Sequence, residues 1–270
     1  MAVMNKEKDF FETNKALWDA KTKIHVKSDF YNMEAFMAGT SSLRKLELAA
    51  LPPIAGLSIL HTQCHFGQDT ISLQRMGAQC TGVDLSSVAI AEAKTINAEL
   101  GLKTKFIESN IYDMDKHLTE TYDMVYTSYG TIGWLPGLDR WADQIAMRLK
   151  PGGHFFMAEF HPTMYMYDWE TKSLDYRYFN NGEPYEEVES GTYADKKSDI
   201  ALKEYFWQHS FEDIISALLK HNIQLTSFKE YDYSPYPIFG SEVKRADQEY
   251  IFEINGINLP LVYCIQGVKR

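Results

Sequence analysis

Short apolar runs alternate with segments of helical spacing through the middle of the chain. The apolar runs predict strands at 57–62, 79–84, 103–109, 122–128 and 154–160. The segments between them predict helices at 68–76, 86–100 and 138–150. Because strands and helices alternate, we expect βαβ units with right-handed crossovers and a parallel sheet.

The beginning of the chain has a different pattern. Aromatic and apolar residues between Phe10 and Trp18 recur at spacings that predict a helical stripe, and a second helix is expected over 42–51. Two prolines stop that second helix. We therefore predict an N-terminal helical cap over 1–53 and assign 54–270 to the main domain.

The alternation stops after the fifth predicted strand. Residues 163–208 are rich in Tyr, Glu, Asp and Gly and lack a helical period, which indicates an antiparallel insertion. A helix at 211–222 and strands at 223–234 and 260–269 follow. The segment 235–258 contains proline and glycine and is expected to form a loop or a small helix.

Charge and composition disfavour several classes of function. The chain has 270 residues, of which 45% are hydrophobic and 24% charged, as in ordinary globular proteins. Its net charge of −10 repels phosphate backbones and anionic lipid. No stretch approaches the roughly 20 apolar residues of a membrane span. We therefore predict neither a nucleic-acid nor a membrane partner.

Cysteine usage bears on the compartment. The three cysteines lie far apart and form no CxxC pair, which favours a reducing compartment. The first residues lack the apolar core of a signal peptide. A cytoplasmic location is the resulting prediction.

In an open parallel sheet, ligands bind at the carboxyl ends of the strands, next to the point where the strand order reverses. Asp84 ends the second predicted strand, about 20 residues after the first turn. A carboxylate there can accept hydrogen bonds from the two hydroxyls of a ribose. The alternative interpretation is that Asp84 merely caps the helix at Ser86.

The turn after the first strand reads Gln63-Cys64-His65-Phe66-Gly67. It keeps one glycine of the cluster that lets a dinucleotide fold approach a pyrophosphate, so NAD and FAD are disfavoured. A methionine-type ligand is smaller and less anionic than a pyrophosphate, so it does not require the backbone to approach as closely. Gly67 also opens a helix whose N-terminal amides can meet a carboxylate.

Three residues near the same strand end could be considered as metal ligands. His61, Cys64 and His65 are potential ligands, but strand-end geometry leaves them poorly convergent. No fourth ligand stands at zinc spacing. No metal is therefore predicted.

Two long runs resemble the class I S-adenosylmethionine-dependent methyltransferases. The first two motifs of that superfamily are matched by ILHTQCHFGQDTISLQRMGAQCTGVDLSSVAIAEAK, and its fourth-strand and fifth-strand motifs by YDMVYTSYGTIGWLPGLDRWADQIAMRLKPGGHFFMAEFHP. The chain also resembles a narrower branch of that superfamily, in the runs HTQCHFGQDT, SYGTIGWL, EFHP and YFWQHSFEDIISALL. The resemblance extends from about Phe10 to Lys269.

The resemblance implies a Rossmann-like α/β sheet of seven strands in the order 3-2-1-4-5-7-6, with the last strand antiparallel. It makes 54–270 a methyltransferase domain and 163–208 an insertion or lid. It also implies S-adenosylmethionine as the cofactor and S-adenosylhomocysteine as the product. The implied contacts place Asp84 at the ribose, and Leu85, Asn110 and Ile111 at the adenine. The methionine side is assigned to His61, Gln63, His65 and Gly67, and the methyl-donor face to Ser128 and Tyr129.

The sequence departs from the superfamily pattern at several of these positions. His61 stands where the first-strand acid is usual, and Gln63 and His65 replace the first two glycines. Asn110 replaces the third-strand acid. Its side-chain oxygen can still accept a hydrogen bond from the adenine amine, without the added strength of a charge.

The implied activity is methyl transfer to a small-molecule acceptor by in-line displacement at the sulfonium methyl. His161, directly after the fifth strand, is the first candidate general base, and the alternative is a structural histidine beside Pro162. Tyr129 is the second candidate catalytic residue. The tyrosines of 163–208 suggest an aromatic acceptor pocket, a homodimer surface, or a sheet that uses tyrosine for its strand propensity.

Two other functions compete with this one. The missing first-motif acid motivates a non-catalytic S-adenosylmethionine-binding protein. A nicotinamide-dependent oxidoreductase is disfavoured by the missing glycines.

Overall fold

A computed structural model describes residues 2–169, 171–238 and 240–270. Met1 of the predicted cap and Glu170 of the predicted lid lie outside the described residues. The α-helices are α1 (Ala2–His25), α2 (Met33–Met37), α3 (Lys45–Ala50), α4 (Gln68–Arg75), α5 (Ser87–Glu99), α6 (Leu138–Arg148) and α7 (Phe211–Lys220). The strands are β1 (Ser58–Thr62), β2 (Gln79–Asp84), β3 (Lys105–Glu108), β4 (Tyr122–Thr127), β5 (Leu149–Phe160), β6 (Tyr185–Ser190), β7 (Ala201–Phe206), β8 (Ile223–Tyr231), β9 (Val243–Ala246), β10 (Glu249–Ile251), β11 (Glu253–Ile254), β12 (Ile257–Asn258) and β13 (Val262–Lys269).

Seven strands form the main sheet, in the order β3-β2-β1-β4-β5-β13-β8. Strands β1 to β5 run parallel, and β13 runs antiparallel to both β5 and β8. The predicted order and the antiparallel last strand are confirmed. The order reverses between β1 and β4, and ligands of such sheets bind where the two strands at this point end.

Apolar side chains cover both faces of the sheet, because alternate residues of a strand point to opposite faces. On one face Trp141 of α6 meets the ring of Phe155 at 5.8 Å. On the other face Tyr126 and Phe156 stack with ring centroids 5.3 Å apart. The carboxyl ends of β1, β4 and β5 are therefore held in place by a sheet that is packed on both faces.

Helix α1 is joined to the insertion that follows β5. Asn14 exchanges two hydrogen bonds with the backbone of Tyr205 on β7, at 2.8 and 2.9 Å. Lys21 forms a buried ion pair with Glu204 at 3.1 Å. Strands β6 and β7 form an antiparallel pair outside the main sheet. The cap and the hairpin thus pack against each other.

Two local expectations were wrong. The segment 235–258 contains the hairpins β9–β10 and β11–β12 instead of a loop or small helix. Strand β5 begins at Leu149, earlier than expected, and passes through Pro151. None of the helices in the described ranges combines the length and apolar character that crossing a membrane requires.

Candidate functional site

The turn between β1 and α4 has an unusual backbone. Gln63, His65 and Gly67 all have positive φ angles, of 55°, 50° and 82°. Such angles are costly for residues other than glycine, so the surroundings must hold them in place. The amide of Cys64 donates to the Val83 carbonyl at 2.9 Å. The turn is thereby tied to the end of β2.

Gly67 fits this turn because it lacks a side chain. A Cβ atom there would lie 2.6 Å from the ring of Phe106. The positive φ adds a second reason for glycine. The position therefore fixes how closely α4 approaches β3.

We expect Gly67→Ala to lower the free energy of unfolding by about 2–4 kcal/mol, from left-handed strain and overpacking together. Gly101→Ala is the matched control, since Gly101 has a φ of 64° but no atom within 4 Å of the added carbon. The control should lose only the strain, about 1–2 kcal/mol. Urea unfolding measures both. Equal losses would show that the Phe106 contact is unimportant.

Asp84 lies half-buried where β2 ends. Its Oδ2 accepts from the His65 amide at 2.7 Å and its Oδ1 from the Ser86 amide at 2.8 Å. Burial raises the pKa of Asp84 to about 6, although these two amide hydrogen bonds act to lower it. A carboxylate oxygen can accept more than one hydrogen bond, so capping Ser86 and binding a ribose are compatible roles.

His61 is buried beneath the turn. Its Nδ1 lies 2.8 Å from Thr70 Oγ1, and its Nε2 lies 3.3 Å from Ser128 Oγ. Burial lowers the pKa of His61 to about 4, so the ring is neutral near pH 7. Ser128 Oγ also lies 3.4 Å from Asp69 Oδ2, at the start of α4. The structure therefore supplies a carboxylate from α4 at the strand end where the superfamily usually places one on β1.

Sequence reasoning missed Asp69. The signal was available as the acid two residues after Gly67 in the run GQDT. Side chains of a helix tilt toward its amino terminus, so a residue in the first turn of α4 points back toward the end of β1.

Gln63 and His65 contain buried polar atoms without partners. Gln63 donates through Nε2 to the Thr131 carbonyl at 2.7 Å, while its Oε1 has no partner among the described residues. His65 Nδ1 is likewise buried and unpartnered within the described part of the chain. An unsatisfied buried polar group costs about 1–3 kcal/mol, so polar ligand atoms at this turn would relieve a penalty. The turn thus fits the amino-acid end of S-adenosylmethionine.

The predicted adenine side is less open. Ile111 is buried in the core, whereas Leu85 is half-buried. Asn110 Oδ1 already accepts from the Tyr112 amide at 3.0 Å, as the cap of a short 3-10 helix. Adenine would have to share that oxygen. These three contacts stay predictions.

Helix α1 lies across the ends of β1 and β2. Lys15 donates to the Leu85 carbonyl at 3.0 Å. Asp19 accepts from Ser86 Oγ at 2.6 Å. The ring of Trp18 contacts that of His65 at 5.2 Å. The cap thus covers the place where Asp84 and the turn would hold a ligand.

Sequence reasoning missed the polar contacts of this helix. Positions 14, 18, 21 and 25 share one helical face, and three of them are polar and buried. Polar residues on the face of a helix that also bears Trp18 were the available signal.

His161 is buried and fully engaged. Its Nε2 lies 2.8 Å from Glu230, and its Nδ1 accepts from Thr163 Oγ1 at 2.7 Å. Burial lowers the pKa of His161. It can take up a proton at Nδ1 only by releasing Thr163. Its role as a base stays a prediction.

Tyr129 lies just after β4, with its ring 5.7 Å from those of Phe160 and Tyr236. Its hydroxyl is buried and has no partner among the residues described. Burial raises the pKa of Tyr129 well above its usual value, so the hydroxyl stays protonated. It can donate a hydrogen bond to a ligand on this side.

Glu159 holds the loop that follows β4. Its carboxylate accepts from the amides of Gly130, Thr131 and Phe160, with the last two at 2.7 Å. The Thr131 hydroxyl donates as well, at 2.8 Å. Glu159 is thereby a structural acid that fixes the loop carrying Gln63's partner carbonyl.

Fold and site together define a Rossmann-like domain with an acid at the end of β2 and a turn of positive φ angles after β1. A protein-family model described as "Methyltransferase domain" matches residues 59–153. Over these residues the chain is therefore similar to a methyltransferase domain, in agreement with the resemblance.

Individual relatives show the extent of the likeness. A ubiquinone biosynthesis O-methyltransferase from Proteus mirabilis is 24% identical over 157 residues, which cover 52% of this chain and 64% of the relative. The chain thus spans less than two thirds of the length of that relative. An S-adenosylmethionine-dependent methyltransferase from Mesorhizobium loti has the same fold, with a TM-score of 0.55, 17% identity and coverage of 86% and 100% of the two chains. The glycopeptide N-methyltransferase MtfA, complexed with S-adenosylmethionine, gives a TM-score of 0.51 at 13% identity, covering 84% of this chain and 92% of MtfA.

Proposed function

We propose that this protein transfers the methyl group of S-adenosylmethionine to a small-molecule acceptor in the cytoplasm. The observation that carries the proposal is the half-buried Asp84 at the end of β2, beside a turn in which Gln63 Oε1 and His65 Nδ1 are buried without partners among the described residues. The superfamily and the fold support it. The net charge of −10 disfavours nucleic acid as the acceptor.

Different residues at these strand ends would hold different parts of the cofactor. Asp84 would hold the ribose, Gln63 and His65 the amino-acid end, and Leu85 with Ile111 the adenine. The cofactor supplies a sulfonium methyl group that is already activated toward nucleophiles. The chain then has to orient the acceptor and exclude water, and orientation alone can contribute about 7–11 kcal/mol at best.

Helix α1 and the β6–β7 hairpin would form the cover that excludes water. Helix α1 lies over the turn through the contact of Trp18 with His65, and the hairpin is joined to α1 through the ion pair of Lys21 with Glu204. A homodimer surface remains a second use of the insertion, since Leu174, Phe179 and Val188 are exposed there.

S-adenosylhomocysteine is expected to raise the melting temperature by about 5 °C or more at 100 times its dissociation constant. A ligand at that excess stabilises by about 2.7 kcal/mol, and each kcal/mol corresponds to roughly 2–4 °C at this chain length. NAD at the same concentration should produce no shift. A shift with NAD alone would support the nicotinamide-dependent alternative instead.

A turnover assay distinguishes a methyltransferase from a protein that only binds S-adenosylmethionine. The same protein would be incubated with methyl-labelled S-adenosylmethionine and a panel of phenols, amines and carboxylates. Phenols lead the panel because the relative from Proteus mirabilis is named as an O-methyltransferase. Tight binding without labelled product from any acceptor would favour the non-catalytic alternative.

A further inference from the structure

Four tyrosines and a phenylalanine form an aromatic cluster beside the end of β4. Tyr129 follows β4, Phe30 and Tyr31 follow α1, Tyr193 lies between β6 and β7, and Tyr236 lies between β8 and β9. The ring of Tyr236 lies 5.7 Å from that of Tyr129 and 5.1 Å from that of Phe30. Tyr31 and Tyr193 are joined through their hydroxyls, and Phe30 lies 5.6 Å from Tyr193. Segments that are far apart in the chain thus meet next to the predicted methyl-donor face.

The tyrosines of the aromatic cluster line a cleft instead of filling the core. Burial raises the pKa of all four above the usual value, so each lies deep in the protein. All four nevertheless keep part of their surface exposed, whereas Tyr126 on β4 is completely buried. The Tyr236 hydroxyl has no partner within the described ranges, but it is not sealed from water. A small molecule can therefore reach these rings.

Arg44, just before α3, places a guanidinium against this cluster. Its Cζ lies 5.1 Å from the centre of the Tyr236 ring, and the residue is half-buried. Of the seven arginines, Arg44 is the one whose guanidinium forms no hydrogen bond to the residues that the structure describes. The others donate to carboxylate or carbonyl oxygens, namely Arg75, Arg140, Arg148, Arg177, Arg245 and Arg270. Arg44 is therefore available to bind an anion.

Two acids near the cleft leave this guanidinium unpaired. Glu47 is buried, and its carboxylate accepts from the Tyr126 hydroxyl and, at 2.8 Å, from the backbone amide of Arg44. Burial raises the pKa of Glu47 to about 7, although the charge of Arg44 acts to lower it, so Glu47 is only partly ionised near pH 7. Asp69 lies 3.4 Å from the Ser128 hydroxyl, at the turn after β1. In the part of the chain that the structure describes, neither acid forms an ion pair with Arg44, which keeps its charge for a ligand.

The groups of this cleft match a flat acid. A guanidinium binds a carboxylate through two parallel hydrogen bonds, which adds geometric specificity to the affinity. Tyrosine rings pack well against another aromatic ring. The Tyr129 hydroxyl is buried and unpartnered among the described residues, so it can donate to a polar substituent of such a ring. An amine, which is positively charged near pH 7, would instead be repelled by Arg44.

We propose that the methyl acceptor is a small aromatic molecule bearing a carboxylate, and that Arg44 binds this carboxylate. The inference rests on the proposed methyl transfer and names its substrate class. Arg44 is then a residue that determines specificity, because an uncharged analogue of the same shape loses the ion pair. The tyrosines hold the acceptor ring between Arg44 and the end of β4, where the methyl donor is expected.

Matched pairs of acids and amides test the role of Arg44. The probes are benzoate, 4-hydroxybenzoate, 3-phenylpropanoate and indole-3-acetate, each with its primary amide, titrated calorimetrically into the complex with S-adenosylhomocysteine. At least one acid should bind roughly 10–100-fold tighter than its amide, as expected for hydrogen bonds between charged groups. Arg44→Gln should abolish this advantage, and Arg44→Lys should keep only part of it, since lysine retains the charge without the planar fork. Both variants should bind S-adenosylhomocysteine as the unchanged protein does.

Arg140→Gln is the matched control, because Arg140 also lies over a tyrosine ring, that of Tyr112 at 4.2 Å, but pairs with Glu7. It should retain the preference for the acid. Equal affinity for every acid and its amide, no binding of any acid, or a preference that survives in Arg44→Gln or is lost equally in Arg140→Gln would overturn the proposal. Methyl transfer to amines but to no acceptor with a carboxylate would overturn it as well, while leaving the proposed function intact. Failure of S-adenosylhomocysteine to bind would instead refute the proposed function.

Discussion

Asp84→Ala is expected to weaken S-adenosylhomocysteine binding roughly 10²–10⁴-fold while the protein remains folded. The reason is the loss of two hydrogen bonds from ribose hydroxyls to a carboxylate, each worth about 1.5–3 kcal/mol. Isothermal titration calorimetry measures the affinity, and circular dichroism checks the fold.

Two controls separate this effect from the loss of a helix cap. Asp84→Asn keeps the size of the side chain but replaces one acceptor oxygen by a donor, so it should also bind weakly. Asp139→Ala removes an exposed acid that pairs with Lys220, and should bind normally. Unchanged affinity in Asp84→Ala would mean that this carboxylate does not hold the ligand.

The pH dependence of binding follows from the same carboxylate. Since the pKa of Asp84 is raised to about 6 by burial, the ionised form that accepts ribose hydroxyls is dominant only above that pH. The affinity should be constant above pH 6 and fall about tenfold for each unit below it. Asp84→Asn should abolish this dependence.

Glu159→Ala is expected to lower the free energy of unfolding by about 3–5 kcal/mol, which makes it the most destabilising change considered. The substitution leaves the buried amides of Thr131 and Phe160 and the half-buried amide of Gly130 without their acceptor. Each unsatisfied buried donor costs about 1–3 kcal/mol, although neighbouring losses do not add fully. Chemical denaturation measures the change.

The controls for Glu159 are another glutamate and a conservative variant. Glu99→Ala, at the exposed end of α5, should stay within about 0.5 kcal/mol of the unchanged protein. The loss of unfolding free energy in Glu159→Gln should lie between the losses in Glu99→Ala and Glu159→Ala. The carbonyl oxygen of the glutamine still accepts hydrogen bonds, but its amide group faces donors. A loss below 1 kcal/mol in Glu159→Ala would contradict the structural role assigned to this acid.

The main sheet was predictable because its signals are local. Each of β1 to β4 shows in the sequence as a short apolar run, and the motifs around Asp84 fix the strand order by resemblance. The strand at 260–269 was also predicted from the sequence, but its antiparallel direction came from the resemblance alone. The match to a methyltransferase domain over 59–153 was predictable for the same reason.

The cover of the site was not predictable to the same degree. Asp19 contacts Ser86, and His25 contacts His65, across 67 and 40 positions of the chain. The spacing of apolar residues says which face of α1 is buried but not which turn it meets. The hairpins between β8 and β13 were missed because short, exposed strands carry little periodic signal.

Local sequence patterns also could not assign catalytic roles. His161 follows β5 as expected, yet its nitrogens bind Glu230 and Thr163. Whether a strand-end histidine faces the crevice or the protein depends on contacts with β8, which lies far along the chain. The roles of His161 and Tyr129 stay predictions.

A crystal structure with S-adenosylhomocysteine tests the central claim most directly. We predict that the carboxylate of residue 84 lies within hydrogen-bonding distance of both sugar hydroxyls, with the amino-acid tail against the turn that ends at Gly67. Density for the ligand elsewhere, with that carboxylate facing solvent or paired with a distant cation, would contradict the account.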